Sequence, residues 1–126
     1  MTGEQILVVE DNDKNMKLFR DVLVATGYRT LEATTGAEAV DMASEHTPDL
    51  VLMDIQLPDL SGVEALQRLR ADPRTRTIPI VALTAQAMHG DRERFLAAGF
   101  DGYVSKPVNV RDLIETVRQH CAAGIR

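Results

Sequence analysis

Hydrophobic positions along the chain change their spacing five times. Continuous apolar runs stand at Ile6-Leu7-Val8-Val9, Leu50-Val51-Leu52-Met53 and Ile80-Val81-Ala82-Leu83. Runs without polar alternation predict strands covered on both faces. Two weaker stretches, Arg29 to Ala33 and Gly102 to Ser105, predict two more strands. Between them apolar residues recur at helical intervals. Leu18, Phe19, Val22 and Leu23 make one stripe, and Val110, Leu113, Ile114, Val117 and Cys121 make another.

Helix punctuation agrees with this reading. Ser61-Gly62-Val63-Glu64 and Thr35-Gly36-Ala37-Glu38 have the spacing of a capping box, a hydroxyl answered three residues later by Glu. Gly27 and Gly99 stand where helices should end. Asp13 is expected to cap the first helix and Asn109 the last. Strand and helix thus alternate five times. The expectation is one α/β domain over residues 1–126, without an output domain. It is a (βα)5 doubly wound five-stranded parallel sheet, flavodoxin-like, with strand order 2-1-3-4-5.

Composition narrows the function classes. With 14 Lys+Arg against 19 Asp+Glu the formal net charge is −5, so a nucleic-acid interface, which needs a basic face, is disfavoured. Five aromatic residues, three Phe and two Tyr with no Trp, leave little for stacking on bases or sugars. No apolar run reaches the ~18–20 residues of a membrane span. A single cysteine, Cys121, cannot close an internal disulfide, which suits a reducing, cytoplasmic compartment.

Ligands of such sheets bind beyond the carboxyl ends of the strands. There the sequence places Glu10 and Asp11 after the first strand, Asp54 after the third, Thr84 after the fourth, and Lys106-Pro107 after the fifth. Any one of these reads as a cap or a solvated loop residue. Together, at the ends of four strands, they predict a site. Two carboxylates ~4 Å apart repel by about 4 kcal/mol at an effective dielectric near 20, so Glu10, Asp11 and Asp54 call for a cation. All the donors are oxygens, which selects a hard ion, Mg²⁺ first and Mn²⁺ as a substitute. The backbone carbonyl of Gln56 is a further candidate ligand. Such a site meets phosphate. Asp54, alone at the end of the central strand, is the candidate nucleophile for an aspartyl phosphate. Lys106 and the Thr84 hydroxyl are placed to meet the phosphoryl oxygens.

The segments Ile6 to Asn12, Leu52 to Pro58, Ala82 to Ala85 and Tyr103 to Pro107 resemble the signature segments of two-component response regulator receiver domains. They do so in order and over essentially the whole chain. Within that family they are similar to single-domain regulators of the cell cycle and cell fate. The resemblance implies that Asp54 accepts a phosphoryl group from the phosphohistidine of a histidine kinase or histidine phosphotransfer protein. It implies that Glu10 and Asp11 organise Mg²⁺, that Thr84 is the switch hydroxyl, and that Tyr103 turns with it. It implies a cis bond between Lys106 and Pro107, and a readout face on the fourth helix, fifth strand and fifth helix that contacts downstream proteins such as kinases. Phosphodonor docking is expected near the first helix and the site rim, at Asn15, Met16, Phe19 and Pro107, although Met16 reads equally well as filler of a core gap. A monomer with no direct DNA binding is expected.

Gln56 and Gln86, each two residues past a site residue, stand where this family varies the lifetime of its phosphoryl group. His46, His89 and His120 lack metal-ligand spacing and are expected at the surface. Three other readings compete. A phosphatase would place an acid two residues after the nucleophile, where Gln56 cannot act as one, although slow loss of the phosphoryl group to water remains compatible. A nucleotide or flavin binder would show a glycine fingerprint after the first strand, where Asp11-Asn-Asp-Lys-Asn15 stands instead. A phosphorylation-independent adaptor would not need Asp54, Thr84 and Lys106 together. The receiver of a hybrid kinase shares the same pattern.

Overall fold

A computed structural model describes residues 3–85 and 91–125, without the side chains of 91, 92 and 122–125. The elements alternate as the spacing predicts: β1 (Gln5–Val9), α1 (Asp13–Ala25), β2 (Arg29–Ala33), α2 (Gly36–His46), β3 (Leu50–Asp54), α3 (Gly62–Ala71), β4 (Ile80–Thr84), α4 (Asp91–Ala98), β5 (Gly102–Ser105) and α5 (Val110–Ile125). The sheet is parallel throughout, in the order β2-β1-β3-β4-β5.

Each central strand feeds two cores, which is why its sequence is apolar without alternation. Ile6, Val8, Leu50, Leu52, Val81, Leu83 and Val104 join Met16, Phe19 and Leu23 of α1 and Leu113, Val117 and Cys121 of α5. Leu7, Val9, Val51, Met53, Ile80 and Ala82 face the other way, against Ala39, Ala43, Ala65, Leu66, Leu69 and Phe95. The α5 stripe begins one turn later than expected. Val110 opens the helix and is 44% exposed.

The caps refine the sequence reading. Asn12, not Asp13, caps α1, accepting from Asn15 N, and Asp13 is the first helical residue. An acid inside the first turn still suits the helix dipole. Ser61 and Glu64 form the full reciprocal box. Thr35 accepts from Glu38 N as expected, but the Glu38 carboxylate reaches Thr34 N rather than the cap. Gly27 and Gly99 follow α1 and α4 with φ of 97° and 119°, the left-handed turn that ends a helix. Asn109 caps α5 through Arg111 N and Asp112 N.

One guanidinium ties three elements together on the α3 side. Arg70 Nη1 donates to the carbonyls of Arg76 and Ile78, and Nη2 donates to Gly99 O and to Asp101 Oδ2 at 2.8 Å. Asp101 Oδ2 also accepts from Ile80 N, the first amide of β4. The end of α3, the start of β4 and the turn after α4 are thereby fixed to one another.

Candidate functional site

Strand register gathers the site. Val9 pairs with Met53, so Glu10 and Asp54 emerge side by side. Asp54 pairs with Leu83 and Thr84 with Ser105, so Thr84 and Lys106 follow one step further along the same edge. Lys106 N donates to Thr84 O at 2.7 Å, and the Lys106–Pro107 bond is cis. The Lys106 side chain lies over the ends of β1 and β3.

There Lys106 Nζ lies 2.9 Å from Asp54 Oδ2 and 2.9 Å from Glu10 Oε1. The contact with Asp54 is a hydrogen bond. That with Glu10 is an ion pair outside hydrogen-bond alignment, which leaves Glu10 Oε1 buried without a hydrogen-bond partner. Burial pushes the Glu10 carboxyl up, and the neighbouring Asp54 charge adds to this against the pull of Lys106. Burial works against the Lys106 ammonium, but its hydrogen bond to Asp54 and its pairing with both carboxylates prevail and hold its pKa above the ordinary value. Gln56 N donates to Asp54 Oδ1 at 3.0 Å, which fixes the other side of that carboxylate.

Glu10, Asp11 and Asp54 each offer an oxygen, and the three lie within 4.8 Å of one another. Three carboxylates against one ammonium leave a formal charge of −2, matched by one divalent ion. The donor set and its charge fit a hard divalent cation.

A cleft of about 400 Å³ opens over this cluster, bounded also by Asn12, Asn15, Gln56, Leu57 and Pro58. Thr84 is buried at the end of β4. Tyr103 is half-buried beyond it, its ring centroid 6.4 Å from that of Phe95 on α4. Among the residues expected at a docking surface, Asn15 lines the cleft and Pro107, next to Lys106 in the chain, is exposed. Met16 and Phe19 are not at a surface: both are buried in the α1 stripe, where the helical period aims them at β1 and β3. Asn12 is a cleft residue to which the sequence analysis gave no role. Its signal was its place directly after the acidic pair. His46 is exposed as expected, whereas His120 is half-buried over Gly102, where a Cβ would meet its Nε2 at 2.8 Å. Gln86 and His89 lie outside the described residues.

The model of the response regulator receiver domain family matches residues 6–118. The chain belongs to that family. The receiver is 50% identical over 117 residues to the polar-differentiation response regulator DivK of Brucella ovis, covering 93% of this chain and 95% of that one. Its structure resembles the receiver domain of a sensor histidine kinase from Pseudomonas aeruginosa, solved with a magnesium ion coordinated in the active-site cleft. The TM-score is 0.88 at 38% identity, over 96% of this chain and 99% of that one. The chemotaxis response regulator CheY4 of Vibrio cholerae superposes with a TM-score of 0.88 at 25% identity, over 94% and 99% of the two chains. Among the described residues of the receiver, no helix is long and apolar enough to cross a membrane.

Proposed function

We propose that the receiver is a phosphoryl-accepting switch of a two-component phosphorelay, with Asp54 as the acceptor. One observation carries this reading: Lys106 Nζ stands 2.9 Å from both Asp54 and Glu10, in a cleft whose three carboxylates converge. An ammonium already seated on the acceptor carboxylate is placed to meet the oxygens of a phosphoryl group arriving there.

An oxygen of Asp54 attacks phosphorus, the P–N bond to the donor imidazole breaks, and the departing nitrogen keeps the bonding pair and takes up a proton. Glu10, Asp11, Asp54 and the Gln56 carbonyl would hold Mg²⁺, or Mn²⁺ in its place, which when bound withdraws charge from the phosphoryl oxygens. Lys106 exchanges part of its contact with the carboxylates for a phosphoryl oxygen, and the Thr84 hydroxyl donates to another. The added charge of about −1.5 to −2, by analogy with phosphorylated hydroxyls, draws Thr84 and Lys106 toward Asp54. Tyr103 then shifts against Phe95, and the face formed by α4, β5 and α5 changes. Gln56 and Gln86 bear on how long the phosphoryl group persists.

Histidine kinases or histidine phosphotransfer proteins are the donors, docking over Asn15 and Pro107 beside the cleft. Downstream proteins such as kinases read the changed face, with the receiver acting as a cytoplasmic monomer that does not contact DNA. The similarity to a polar-differentiation regulator supports a role in cell-cycle or cell-fate signalling. The test is intact mass after incubation with acetyl phosphate and Mg²⁺. One phosphoryl group is expected on the wild type, and none without Mg²⁺ or in Asp54→Asn. Addition to Asp54→Asn would overturn the assignment.

A further inference from the structure

Residues 55–61, between β3 and α3, are closed at the base and tied at the tip. Gln56 pairs with Ser61 in an antiparallel bridge, and Gly62 N donates to Ile55 O at 2.8 Å. At the tip, Asp59 Oδ1 accepts from Gly36 N at 2.7 Å and Oδ2 accepts from Ala37 N at 3.0 Å. These amides are among the orphan donors of the first turn of α2, where a carboxylate also meets the favourable end of the helix dipole. Thr35 already caps α2 through Glu38 N. The Asp59 bonds therefore come in addition, and from a different element. Beside them Leu60 sits so close to Gly36 that a Cβ there would meet Leu60 Cβ at 2.9 Å.

The same segment forms one wall of the site. Gln56 N holds Asp54 Oδ1, and Gln56, Leu57 and Pro58 bound the cleft. We infer that Asp59 is a positioning residue for the phosphoryl-accepting site: by fastening the tip of 55–61 to the start of α2, it keeps Gln56 against Asp54 and sets the affinity of the cleft for a divalent cation. The inference rests on the reading of the site as a cation-assisted acceptor. It gives α2, which contributes no residue to the cleft, a mechanical grip on its wall. Outer partners of metal sites act in this way, by fixing the orientation of the groups that do the binding.

Three variants separate this role from general stabilisation. Asp59→Ala removes the latch. Gly36→Ala keeps Asp59 but drives a methyl group against Leu60, while giving α2 a better helix former. Thr35→Ala removes the helix's own cap and leaves the latch in place. The readouts are Mg²⁺ affinity by calorimetry and, without metal, hydrogen-exchange protection of the Gln56 amide. Affinity is expected to fall about 10-fold in Asp59→Ala and roughly 3-fold in Gly36→Ala, with change within about 2-fold in Thr35→Ala. Gln56 protection should fall in the first two only. Equal losses in all three, or unchanged affinity in the first two, would overturn the inference while leaving the acceptor reading intact. If Asp59→Ala does not fold, Gly36→Ala against Thr35→Ala decides. A wild type that binds no Mg²⁺ and accepts no phosphoryl group would overturn both.

Discussion

Lys106 Nζ meets Asp54 Oδ2 at 2.9 Å, joining two residues 52 positions apart across the ends of β3 and β5. The contact partly neutralises a crowded acidic cluster, and on the proposed reading it also supplies positive charge where a phosphoryl group brings negative charge.

Lys106→Met should therefore slow phosphorylation by acetyl phosphate about 100-fold or more, the scale of losing one preorganised donor. It should also destabilise the fold by about 1–3 kcal/mol. That is less than the ~3–5 of a sealed buried pair, because the cleft admits water and the Lys106 side chain is 18% exposed. Added Mg²⁺ should restore part of the loss. Rates followed by intact mass and urea unfolding with and without Mg²⁺ check both halves; a wild-type rate in Lys106→Met would remove Lys106 from the reaction.

Mg²⁺ should stabilise the wild type. An ion bound only by the native state contributes about 2.7 kcal/mol at 100 times its Kd, or roughly 10 °C in Tm for a domain of this size. Asp11→Asn removes one of the three converging carboxylates and should abolish most of the shift. Thermal melts monitored by circular dichroism measure it. An undiminished shift in Asp11→Asn would place the ion elsewhere.

Cys121, buried in the α1–α5 core, has its thiol pushed up from its ordinary 9 to about 12, by burial first and then by the charges of Glu4 and Asp49. An acid with a raised pKa in the fold supports folding while it stays protonated. That support is complete below the pKa of the unfolded thiol and is lost as pH rises from about 9 toward 12. The stability of the wild type should thus fall more steeply over that window than that of Cys121→Ala. At pH 8 iodoacetamide should modify the native thiol slowly and the urea-unfolded thiol rapidly. Similar rates in the two states would contradict the burial argument.

Arg70→Met should destabilise by about 1–3 kcal/mol, since it removes the donor from three backbone carbonyls and leaves the Asp101 carboxylate with its bond from Ile80 N. The clamp lies away from the cleft, so Mg²⁺ affinity should stay within about twofold in a variant still folded at 25 °C. Denaturant unfolding paired with calorimetry separates the effects. A large loss of affinity would show that the clamp reaches the site.

Period carried much of the fold. β2 and β5, the weakest stretches in the sequence, have the bounds the pattern predicted, because turn residues and neighbouring helices left them no other register. The acidic pair, Asp54, Thr84 and Lys106 were legible because a parallel sheet sends residues just past its strands to one edge. What escaped was contact without periodicity. Asp59 reaching Gly36 and Arg70 reaching Asp101 span 23 and 31 positions, and nothing local marks either partner. Met16 and Phe19 show the reverse error. A resemblance suggested a docking surface, while their own stripe, with Leu23, aimed them inward.

Gly62 has no side chain, and a Cβ there would lie 2.6 Å from Asp54 O and 2.9 Å from Ile55 Cα. β3 and the start of α3 are in effect pressed together with a single hydrogen atom's clearance. One methyl group at that point would act as a wedge on the backbone behind Asp54. The charge pattern of the cleft would stay untouched while the carboxylate proposed as acceptor was pushed out of place, so one carbon atom separates the protein from a displaced site.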